Sequence, residues 1–80
     1  MTEEEFDAMI HDQILEHKKF MRESGRDLRG YVERYGERGK GNFVADLSEL
    51  VWLILYSEGS IPDNERIRKM VNEILKERRN

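Results

Sequence analysis

The stretch that most invites ligand chemistry is GERGKGN, residues 36–42. Three glycines, Arg38 and Lys40 stand just ahead of the densest apolar run in the chain. Backbone N–H groups, two cations and a helix N-terminus are the parts of an anion cradle. A Walker A loop, however, needs GxxxxGK followed by Ser or Thr, after a strand. Here Gly41 follows Lys40, and the preceding residues read as helix. The embedded GERG has the GxxG form of the KH-domain loop, but no strand pattern supplies a KH sheet. The plain expectation is a flexible connector, and the sharper one is an anion or nucleic-acid contact.

Other constellations carry less. Glu3, Asp7 and His11 recur at i, i+4 and i+8, a spacing that stacks metal-type ligands on one helix side. No second cluster completes a set, so a solvated acidic face is expected and no metal or other cofactor is assigned. Cys is absent, and no GxSxG or HExxH sequence surrounds a nucleophile or metal pair. No catalytic residue is assigned, and the chain is read as a non-enzyme without an evident small-molecule substrate. A helix-turn-helix could be built from 47–58 and 62–78 around Gly59. Glu58, Ser60, Glu65 and Arg68 would then fall at positions that this motif usually buries, so the match is poor.

The elements that would position these residues are helical. Thr2 with Glu5 is a capping box, and the pattern predicts a first helix over 3–23. Its apolar face is Phe6, Met9, Ile10, Ile14, Phe20 and Met21, with Gln13 and His17 set into the middle. Those two read either as a satisfied polar pair at the core edge or as part of a docking face. Leu28, Tyr31, Val32 and Tyr35 form a short stripe over 27–36, with Asp27 or Ser24 as cap. Residues 43–58 are the central helix, capped by Asn42 and stopped by Gly59. Phe43, Leu47, Leu50, Val51 and Ile54 share its core arc, widened by Val44 and Leu55. Trp52 and Leu53 fall outside that arc, on different sides. A last helix over 62–78 takes Pro62 in its first turn, with Ser60 or Asp63 as cap. Its stripe is Ile67, Met70, Val71, Ile74 and Leu75, and the tail KERRN puts cations at its C-terminus.

Eighty residues bound one domain, 1–80. The expected fold is all-α, a compact four-helix bundle-like domain around the helix at 43–58. The apolar run is too short and too interrupted to span a membrane, and the acidic N-terminus lacks a signal-peptide pattern. A cytoplasmic protein is expected. The net charge of −3 is not that of a nonspecific nucleic-acid binder. The charge is nonetheless uneven. Residues 1–21 hold six acids and two bases, whereas 22–40 hold six bases and four acids.

Two functions follow. The first is a small protein-interaction module of regulator or inhibitor type. It would bind a protein partner, or form a homo-oligomer, through Trp52, Leu53, Tyr56, Gln13 and His17. Small regulators of bacteria and their phages are often of this kind, which is analogy alone. The alternative is a helical nucleic-acid-binding regulator using Arg34, Arg38, Lys40, Arg66, Arg68 and Lys69.

Overall fold

In the computed structural model, which describes residues 2–77, the Thr2 hydroxyl accepts the Glu5 N–H and the Glu5 carboxylate accepts the Thr2 N–H. This reciprocal cap opens α1 (Glu3–Glu23). Asp27 caps α2 (Leu28–Tyr35), its Oδ1 accepting the Gly30 N–H at 2.9 Å. A single 3₁₀ turn, Gly36–Arg38, runs directly into α3 (Gly39–Ser57). After a loop comes α4 (Asn64–Glu77). Among the described residues the fold is all-α. Residues 78–80 of the expected cationic tail lie outside the described residues.

The expected flexible connector at 36–42 is not one. It is helical from its first residue, and the central helix starts at Gly39 rather than at residue 43. Asn42 therefore sits inside α3 and caps nothing. The reason lies in packing. A Cβ on Gly39 would stand 2.6 Å from the Tyr31 carbonyl oxygen and from the Val32 N and Cα. Glycine is there because the backbones of α2 and α3 nearly touch. The C-terminus of α3 follows expectation. Gly59 has φ +95°, and the Ser60 N–H reaches the Leu55 carbonyl while the Gly59 N–H reaches Tyr56, a Schellman stop. The last helix starts at Asn64, later than expected. Asp63 is its cap, accepting the Glu65 N–H at 3.0 Å, and Pro62 is buried ahead of the helix.

Three long helices, α1, α3 and α4, build the core, and the short α2 braces one side of α3. That is looser than a four-helix bundle. α3 packs against all three of the others. Arg66 of α4 reaches Asp7 near the start of α1, while Leu75 meets Leu15 at a shared groove. So α1 and α4 run in the same direction, and α3 runs opposite to both. The buried cluster is Ile10, Ile14 and Met21 from α1, Tyr31 from α2, Phe43, Val44, Leu47, Val51 and Leu55 from α3, and Ile67, Val71 and Ile74 from α4.

The core arc of α3 is rotated from the expected one. Leu50 is 39% exposed and Ile54 half-buried, whereas Val44, Ser48 and Leu55 are buried. α4 folds back along that side of α3 and covers it. The stripe of α2 is likewise only partly used. Tyr31 is buried, but Val32 and Tyr35 remain exposed, because α2 packs mainly on α3.

Tyr31 ties α2 to α3 by a polar contact that the sequence pattern did not announce. Its hydroxyl donates to Asp46 Oδ2 at 2.7 Å, and its ring meets Phe43 edge-on at 5.4 Å. Burial pushes the phenol pKa up, and the Asp46 carboxylate adds to the shift, while Arg26 opposes it. The unfolded phenol titrates near pH 10. The contribution of the neutral phenol is thus complete below about pH 10 and is lost as pH rises through the higher folded value. Tyr31→Phe is expected to cost about 1 kcal/mol at neutral pH. It should also flatten the fall in stability above about pH 10, as read from urea titrations at neutral and alkaline pH. Equal alkaline slopes for the two proteins would refute this role.

Candidate interaction surfaces

The outer side of α3 leaves an apolar strip uncovered beside the exposed Asp46, Glu49 and Ser57. Leu50, Leu53 and Tyr56 follow one another at three-residue spacing and are 39%, 49% and 56% exposed. Spacing of three places neighbours on adjoining parts of one helix face. Trp52 supports this face from within. Its ring stacks on Tyr56 at 5.0 Å and 10°, and its Nε1–H donates to the Pro62 carbonyl at 2.9 Å. It packs half-buried against the core. Trp52 therefore spends its polar atom and much of its ring inside the molecule, and Leu53 and Tyr56 remain as the presented side chains. Trp52 and Leu53 also line a shallow hollow of about 270 Å³ with Arg68 of α4.

Gln13 and His17 do not join that face. Asp7, Leu15 and Lys18 mark the side of α1 that meets α4. At about 100° per residue, Gln13 and His17 fall on the other flank. Both are half-buried. His17 Nε2 is buried and has no hydrogen-bond partner among the described protein groups.

The six cations of the nucleic-acid reading are also kept apart. Arg34, Arg38 and Lys40 lie around the start of α3, and Arg66, Arg68 and Lys69 lie near its end, at the start of α4. α3 has 19 residues, which puts the two groups about 27 Å apart along the axis. Arg66 is also committed internally. Its Nε and Nη2 both lie 2.7 Å from Asp7 Oδ1, Nη2 donates to the Glu3 carbonyl at 3.3 Å, and its guanidinium sits 5.2 Å from the Phe6 ring centre. This pair pins α4 to the first turns of α1 and takes Asp7 out of the acidic stripe. At the N-terminus of α3 the 3₁₀ turn runs into the helix and the Gly39 N–H donates to the Gly36 carbonyl, so that N–H is not available to an anion. α4 returns along α3 as an antiparallel hairpin, with Asn64 and Arg68 facing the same hollow as Leu53 and Ala45.

A different basic cluster forms from residues that no sequence motif had brought together. At the end of the molecule where α1 and α4 finish and α2 and α3 begin, a groove of about 790 Å³ opens. Leu15, Leu28, Phe43 and Leu75 supply its apolar lining, and Lys18, Lys19, Arg22, Asp27 and Arg29 supply its polar lining. Leu15, which the helical pattern leaves on the polar side of α1, is 44% exposed and belongs to this lining. These residues come from four elements, so only the fold assembles them.

Among the described residues no three His, Cys, Asp or Glu side chains gather as a metal site, and no helix is long and apolar enough to cross a membrane. Comparison of the chain with family models, curated proteins and solved structures finds no match.

Proposed function

We propose that the protein is a small interaction module, of regulator or inhibitor type, that presents the outer face of α3 to a protein partner. One observation carries this. Leu50, Leu53 and Tyr56 stay exposed on the helix that the rest of the fold surrounds. A contiguous exposed apolar patch marks an interaction surface more often than an isolated exposed leucine does. Tyr and Trp are also frequent anchors of such surfaces. The hydrogen bond from Trp52 to Pro62 holds the stack in place, so little side-chain freedom is lost when Tyr56 is covered. In this reading the module acts by binding. We place it in the cytoplasm, in keeping with a chain that carries no Cys.

A second copy of the chain is the alternative occupant of the same face. Light scattering over a wide concentration range separates the two. A mass that stays monomeric assigns the face to a different protein. A mass that doubles, and returns to monomer in Leu53→Asp, assigns it to self-association. A dimer that Leu53→Asp leaves intact would place self-association on another surface and count against this face.

A further inference from the structure

A basic-rimmed groove lies at the other end of α3, and its reading stands without the proposal for the α3 face. Phe43 and Leu53 are ten residues apart, about 15 Å along the helix. The groove volume of about 790 Å³ lies in the range of ligand-sized clefts. Its floor is apolar, with Leu28 and Leu75 half-buried and Phe43 almost fully so. Its rim is cationic, and Lys19, Arg22 and Arg29 are all exposed. Arg29 is 3.4 Å from Glu33, a solvent-exposed pair of small energetic weight. The one acid in the lining, Asp27, is already engaged in capping α2.

We infer that this groove binds an acidic peptide segment of a partner protein, with a large apolar side chain of the segment seated among Leu15, Leu28 and Leu75, above the buried Phe43. Charge complementarity selects the carboxylates, and the apolar floor selects the anchor. The rim cations are spread over two helices. Lys19 and Arg22 lie one turn apart on α1, and Arg29 stands on α2. Several carboxylates spread along a chain satisfy that layout better than the single headgroup of an acyl anion. A nucleic-acid strand would want an exposed aromatic platform for its bases. The one aromatic ring in the groove, Phe43, is buried to 1% exposure.

The test is selection of a random peptide library displayed on phage against the 80-residue chain, with Lys19→Glu/Arg22→Glu as the comparison bait. Both residues are exposed, and circular dichroism checks that the variant keeps its helicity. The expected result is enrichment of acidic peptides that carry an aromatic or large aliphatic residue. The best of them should bind the variant about tenfold or more weakly. It should also weaken when its own apolar residue is replaced by Gly, and it should shift the amide resonances of Leu28, Phe43 and Leu75. Enrichment without acidic character would overturn the inference, as would no enrichment or undiminished binding by the variant. Displacement of the peptide by dodecanoate or by a single-stranded oligonucleotide at lower concentration than by an acidic competitor peptide would move the site to that other class of ligand. Charge reversal here leaves Leu53 and Tyr56 intact, so failure at the groove does not bear on the α3 face.

Discussion

Gly39→Ala is expected to destabilise the protein by about 2–3 kcal/mol, lowering Tm by about 10–20 °C, while Gly41→Ala two residues later raises it. The contrast isolates one cause. Both glycines lie in the first turn of α3 with ordinary negative φ. Replacing a helical glycine by alanine gains about 0.5–1 kcal/mol where nothing obstructs the methyl group. Around Gly41 there is nothing within 4 Å of the new Cβ. At Gly39 the Cβ would lie 2.6 Å from three backbone atoms of α2, and backbone cannot rotate out of the way as a side chain does. α2 must move off α3, which strains the Tyr31–Asp46 hydrogen bond and the Tyr31–Phe43 ring contact. Thermal unfolding of the two variants decides the matter. A rise in Tm for both would mean that α2 and α3 are not in close contact.

Trp52→Ala is expected to cost about 2–4 kcal/mol, and Tyr56→Ala less than about 1 kcal/mol. Trp52 is the strut between α3 and the loop that leads into α4. Its indole N–H satisfies the carbonyl of buried Pro62, and its ring closes over the core. Removing it leaves a cavity and an unpaired carbonyl together, two penalties that add. Trp52→Phe keeps most of the ring and loses only the donor, so about 1 kcal/mol is expected. Tyr56 is more than half exposed, and its removal uncovers one face of the Trp52 ring without opening the interior. Urea titrations of the three variants measure these differences. Comparable losses for Trp52→Ala and Tyr56→Ala would contradict the division between strut and presented residue.

Much of the fold was legible from helical periodicity and capping chemistry. The boundaries of α1, the Asp27 cap and the stop at Gly59 each rest on a local rule, and local rules are written in local sequence. The errors arose where tertiary packing overrode them. GERGKGN has the composition of a loop, yet its middle glycine answers to a helix crossing, which no local pattern reveals. The rotation of the α3 core arc depends on which side α4 folds back upon, and Leu50 and Val44 look alike until that is known. Within the candidate sites, Leu53 and Tyr56 were accessible to the sequence because α3 carries more apolar residues than one face can bury. The groove was not accessible. Lys19, Arg22, Arg29, Phe43 and Leu75 come from four helices, and only their assembly makes a basic rim around an apolar floor. A charge excess in residues 22–40 was its sole trace.

The most direct test of the central claim is quantitative capture of partners by the tagged protein against Leu53→Asp/Tyr56→Ser, with nuclease present. Both residues are exposed, so circular dichroism should show the variant as helical as the wild type. The account predicts a nuclease-resistant protein partner that the wild type retains and the folded double variant loses. Retention of that partner by the folded double variant, or loss of all captured protein on nuclease treatment, would contradict it.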